Sequence, residues 1–216
     1  MIKGGTSRLR KGDCCEPKNY RRVGNTDDRW YLPMAFVGSY VNAGTSSSII
    51  AWPFVLPKTA RFNWIGWYVN GTDATAFIKF GFYATDPLNK TDFPYPGKLI
   101  WGMPTWRAIS STGYQQDGAY SPPIILPGNQ LVWACQSVYG SGGGTLTCHD
   151  DSDVNPGFGK VGVPNILGVA AAGGEPFSNC YWATGLGSAY SWPDPFPTSS
   201  VVLANRNIPI FGFRLV

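Results

Sequence analysis

The chain has 216 residues and a mass of 23.5 kDa, enough for one all-β domain of roughly 200–250 residues and too little for two full domains. Glycine (27) and proline (18) fill about a fifth of it, against a usual share of roughly 12%, and 44% of the residues are hydrophobic; this argues against long helices and against disorder of the bulk of the chain. Charged residues are scarce at 14%, the net charge is +4, and the single histidine, His149, rules out a histidine-rich metal site within one chain and limits triad hydrolysis to one ring.

The charge is unevenly placed. Residues 1–29 hold eight basic side chains (Lys3, Arg8, Arg10, Lys11, Lys18, Arg21, Arg22, Arg29) and four acidic ones (Asp13, Glu16, Asp27, Asp28). Of the chain's 17 basic and 13 acidic residues this leaves nine of each, so the remainder is neutral. With almost no apolar periodicity, residues 1–29 cannot bury enough surface to offset the entropy of folding alone. They are expected to form an extended basic arm that orders against a partner, with Lys3, Arg8, Arg10, Lys11, Arg21 and Arg22 as its anchoring residues. Such an arm pairs with phosphates or with the carboxylates of a neighbouring subunit, or stays a solvated tail. Cys14 and Cys15 are adjacent, and neighbouring Cα atoms about 3.8 Å apart do not bridge readily. Residues 1–11 show no apolar signal core, and no run approaches the roughly 18 apolar residues of a membrane helix. Synthesis in a cytoplasm and no membrane partner are the expectation.

From residue 30 onward, short apolar or alternating runs are separated by glycine and proline clusters, the pattern of strands and turns. Strands are expected at 33–40, 48–55, 60–69, 76–84, 98–102, 119–126, 130–139, 145–149, 181–183 and 208–216. So many short strands predict an all-β fold: an antiparallel, jelly-roll-like β-sandwich over 30–216 behind the arm, with a barrel as the alternative. Alternation turns Ile65, Trp67 and Val69 inward and Trp64 and Tyr68 outward, with Phe80 and Phe82 opposing them. Leu131, Trp133, Phe211 and Phe213 complete the expected buried set. Pro127-Gly128 reads as a tight turn with glycine at positive φ.

A hairpin pairing Tyr139 with Gly144 would directly oppose Cys135 and Cys148, at a separation where a disulfide forms. Buried free thiols are the alternative, and the default for Cys180. Asp151, Asp153 and Asn155 have the alternate spacing of a calcium loop. The glycine and the glutamate that such a loop requires are missing, so a solvated acidic turn is preferred and no metal or other cofactor is expected. The long glycine- and proline-rich stretch 150–197 is expected to form surface loops, which often carry function. Trp106, Tyr114, Trp182, Tyr190 and Trp192 lie in or beside loops and are the candidate contact aromatics, since rigid rings anchor interfaces and stack on sugars. Plain core filling is the competing explanation for each.

The segment Trp52 to Val69 opens on Trp52-Pro53-Phe54 and runs into Ile65-Gly66-Trp67. It is followed by Lys79-Phe80-Gly81-Phe82-Tyr83, then Tyr95-Pro96-Gly97, then Leu126-Pro127-Gly128 with Trp133-Ala134. In this order the four blocks resemble a β-sandwich module of tail fibre and minor tail proteins of tailed bacteriophages, and Phe213-Arg214-Leu215 resembles its closing strand. The chain differs from the module in its many tryptophans, its insertion between Tyr83 and Tyr95, and its basic arm. The resemblance implies a virion structural or host-recognition protein without catalytic residues, working as a homo-oligomer, most plausibly a trimer. Expected partners are other virion proteins and a host surface polysaccharide; nucleic acid is not expected, because the body is neutral. A capsid decoration protein and a soluble carbohydrate-binding module are the alternatives.

Overall fold

A computed structural model describes residues 20–22, 29–31, 40–42, 48–56, 58–87, 94–140, 145–149, 180–186, 191–204, 208–209 and 211–216. No helix occurs among them. The strands are β1 (Tyr20–Arg22), β2 (Arg29–Tyr31), β3 (Tyr40–Asn42), β4 (Ser48–Val55), β5 (Ala60–Gly71), β6 (Asp73–Thr85), β7 (Pro96–Gly102) and β8 (Arg107–Ile109). They continue with β9 (Gly113–Gly118), β10 (Ile124–Leu126), β11 (Leu131–Tyr139), β12 (Thr145–His149), β13 (Cys180–Ala183), β14 (Val201–Ala204), β15 (Ile208–Pro209) and β16 (Phe211–Leu215).

All pairings are antiparallel, and the strands form two sheets packed as a sandwich around an aromatic core. In the first, β5 is the hub. Trp64 faces both Arg214 of β16 and Gly118 of β9, so these strands flank it on opposite edges. β10 pairs with its start and β12 with its end. The second sheet runs β14-β13-β4-β11-β6-β7, with β8 also on β6. β5 and β6 are long enough to cross the whole sandwich, and Thr72 alone separates them where the chain passes from one sheet to the other.

Alternation explains the core. Ile65, Trp67 and Val69 of β5 meet Phe80 and Phe82 of β6, with Phe211 and Phe213 of β16 between them, all buried as expected. Phe62 stacks on Phe213 at 4.7 Å between ring centroids, and Trp67 lies 5.4 Å from Phe80. Trp133 is also fully buried, but on the other face of its sheet, beside Tyr83, Cys135 and Tyr181, with Leu131 half-buried at that cluster's edge. That outer face is covered by residues 193–197. The Tyr83 and Tyr95 hydroxyls donate to the Pro193 and Pro197 carbonyls, the Leu99 amide donates to Asp194, and the Phe196 amide donates to the Gly97 carbonyl. Phe196 fills the centre of the second cluster.

Several sequence expectations need correction. β11 is paired on one edge with β4 and on the other with β6, which leaves no edge for a hairpin with β12; Cys135 is a buried free thiol, opposed to Ala51 and Gly81 rather than Cys148. Cys148 pairs with Pro209 across β12 and β15. The strand expected over 119–126 is only Ile124–Leu126, because Pro122 and Pro123 have no N–H to give to a ladder. In the turn before β11 the left-handed residue is Asn129, at φ 55°; Gly128 is needed instead because a Cβ there would collide with the backbone of Lys58 and Thr59. The boundary drawn after residue 29 falls inside β2. β1 and β2 pair with each other, and β2 adds to β16 with Trp30 opposite Arg214, so part of the basic arm extends the β5 sheet.

Candidate functional site

The five candidate aromatics do not converge. Trp182 on β13 is half-buried against the inter-sheet core. Trp192 belongs to the covering segment: its ring lies over Gly81 and Gly102, where a Cβ on Gly102 would collide with it, and its Nε1 donates to the Met103 carbonyl at 3.2 Å. Both are packing residues, contrary to the expectation of loop-borne contact groups. Trp106 sits on the outer face of the β11 sheet, 5.7 Å from the Tyr139 ring and with the Lys79 ammonium 4.7 Å from its centroid. Lys79 is buried, and desolvation lowers its pKa below the usual lysine value. Tyr190, the anchoring residues Lys3, Arg8, Arg10 and Lys11, and the acidic turn of Asp151, Asp153 and Asn155 lie outside the described residues; Arg21 and Arg22 form part of β1. No cluster of three His, Cys, Asp or Glu able to hold a metal occurs among the described residues.

Tyr114 alone of the five belongs to a built surface, on the outer face of the β5 sheet. It sits on edge strand β9 directly opposite Tyr68 of β5, and the two are 46% and 48% exposed, among the largest exposed rings of the molecule. Along β5 the outward positions run Trp64, Gly66, Tyr68; along β9 they run Gly118, Gln116, Tyr114. The glycines decide the shape. Tyr114 lies over Gly66 and Trp64 lies over Gly118, in each case where a Cβ would occupy the space of the ring. Rings laid down on a sheet in this way turn a face, rather than an edge, to their surroundings. The Arg214 guanidinium of β16 stands 4.8 Å from the Trp64 centroid, a cation–π contact. Burial pushes the Tyr114 hydroxyl pKa up, against a smaller opposing pull from Arg214. Arg61 and Ile125, opposed across β5 and β10, are exposed at the far end.

Beside this surface, facing inward between the sheets, the nearly buried Asp117 of β9 accepts from the Arg107 guanidinium of β8 and, at 2.6 Å, from the Tyr120 hydroxyl. Burial and the bond to Asp117 both push the Tyr120 pKa up. This is the ion pair that ties the second sheet to the edge of the first, and it holds β9 in place under Tyr114.

Sequence reasoning marked Tyr114 and turned Trp64 and Tyr68 outward, but it did not join them. Its Gly-Tyr-Gln-Gln-Asp-Gly strand, β9, is too polar to read as a strand. The available signal was the recurrence of glycine at 66, 118 and 212 beside aromatic and arginine residues. No protein-family model matches the chain, and no curated protein is similar to it.

Among the described residues the face offers the half-exposed rings of Tyr68 and Tyr114, the Gln116 amide and the guanidiniums of Arg61 and Arg214.

Proposed function

We propose that this chain is a structural protein of a tailed-bacteriophage particle, a tail fibre or tail-associated protein and not an enzyme. Its sandwich is displayed, and the outer face of the β5 sheet meets the host surface or a neighbouring subunit. The observation that carries this reading is the opposed pair Tyr68 and Tyr114, roughly half exposed, with Tyr114 laid over Gly66. Neighbouring exposed rings on one sheet face are a common mark of a contact surface. The order of the four motif blocks between residues 52 and 134 supports the assignment to a tail. The partners are other virion proteins through residues 1–29, further copies of the chain in a closed trimeric assembly, and a host surface polysaccharide.

The test is localisation. Val216 is 61% exposed, so a tag can follow it without entering the core. Gold-labelled antibody against that tag is expected on the tails of purified particles. Label over the shell would instead make the chain a decoration protein, and label-free particles alongside soluble chain would overturn the virion reading.

A further inference from the structure

Strands β1, β2, β16 and β5 contain no aspartate or glutamate, and register puts the positions of Arg21, Arg214 and Arg61 on the outer face of the sheet, those of Arg22 and Arg29 on the opposite one. The one acidic residue of β9, Asp117, faces inward and is held by Arg107 and Tyr120. Register sets Arg21 beside Trp30, Trp30 beside Arg214, Arg214 beside Trp64, and Trp64 beside Gly118, so arginine and tryptophan positions alternate across four strands.

Tyr68 lies seven residues farther along β5 from Arg61, opposite Tyr114 and beside Gln116 on the same face, and Arg214, opposite Trp64, stands close enough to Tyr114 to act electrostatically on its hydroxyl. Aromatic faces accept the apolar C–H faces of sugar rings, and the amide and hydroxyls meet sugar hydroxyls. Guanidiniums meet carboxylates through paired N–H donors. A single-stranded nucleic acid also stacks on aromatics, but it carries a charge at every nucleotide and is held by a groove that is basic along its length. Here the described side chains of the face supply two cations, Arg61 and Arg214, too few to follow a phosphate chain.

Resting on the displayed-module reading above, we infer that this face binds an acidic polysaccharide built from uronic acids, with Tyr68 and Tyr114 stacking sugar rings and Arg61 and Arg214 taking carboxylates.

The full chain is run in native gels containing hyaluronate, alginate or polygalacturonate, and in parallel gels containing dextran or poly(dT). Retardation by at least one uronic-acid polymer is expected. It should weaken about tenfold in Tyr68→Ala and in Arg61→Gln, two exposed positions, and persist in Tyr68→Phe, which keeps the ring. Equal unfolding temperatures of the variants separate lost contact from lost fold. No retardation by any of the three polymers overturns the inference, as does retardation by dextran equal to theirs. Retardation by poly(dT) alone makes the face a nucleic-acid site, and equal retardation of wild type and variants reduces the effect to bulk charge; either result also overturns it. Because the gels use isolated chain, a tail-located protein that is not retarded refutes this inference and leaves the virion reading standing. A retarded protein absent from particles does the reverse.

Discussion

At the scale of single residues, packing partners rather than residue type decide what an aromatic does. Trp192 and Tyr114 both lie over glycines, yet Trp192 closes an interior notch while Tyr114 turns a face outward. Trp192→Ala should therefore cost about 3 kcal/mol of stability, the lower end for loss of a packed aromatic, and Gly102→Ala about 1–3 kcal/mol by lifting the indole. Urea unfolding measures both. Lys79 keeps an ammonium in a desolvated site under Trp106, with no carboxylate paired to it among the described residues, and burying an unpaired charge is unfavourable. Lys79→Met should shift the urea midpoint upward at pH 7; a lower midpoint would show that the cation–π contact outweighs desolvation. Tyr95 is pushed up to about pKa 12, by burial first and by the neighbouring Tyr181 second. A tyrosine whose pKa is raised in the folded state stabilises it fully below the unfolded value near 10, and that contribution is lost as pH rises toward 12. Stability should hold to about pH 10 and then fall, and the fall should be shallower in Tyr95→Phe.

At the scale of elements, β5 and the segment 193–197 organise the molecule. β5 pairs with four strands, and the covering segment seals the outer face of the β11 sheet over Cys135. Burial drives the Cys135 thiol pKa well up, which keeps it unreactive while the segment is seated. Labelling by a thiol reagent, followed site by site by mass spectrometry, should be slow at Cys135 and at least tenfold faster in Phe196→Ala. Unchanged labelling would mean that the segment does not guard the thiol. These elements were unevenly legible. β4 and β12 match their expected bounds and the aromatic rows of β5, β6 and β16 face as alternation requires, because strongly apolar strands must bury one face. The edge strands β8 and β9 were not anticipated, since a strand paired on one side and half solvated needs no apolar pattern. Which strands neighbour β11 is a long-range choice that local pattern does not encode, and the expected opposition of Cys135 to Cys148 failed for that reason.

At the scale of the whole molecule, the two outer faces have different fates. That of the β11 sheet is covered at one end by the chain's own segment, while that of the β5 sheet presents Tyr68, Tyr114 and Gln116. The first was hidden from sequence because its cover comes from a proline-rich stretch that reads as a surface loop. The second was half visible: Trp64 and Tyr68 were turned outward by alternation, but their neighbours across the sheet depend on β9 and on the pairing of β2 with β16. The most direct measurement of the central claim is made on particles carrying Tyr68→Ala with Gln116→Ala, two exposed changes that leave the core intact. Incorporation of the chain and adsorption to the host are scored together. The account predicts at least a tenfold loss in one of them: adsorption if the face meets the host, incorporation if it meets a subunit. Particles that assemble and adsorb like the wild type would contradict it.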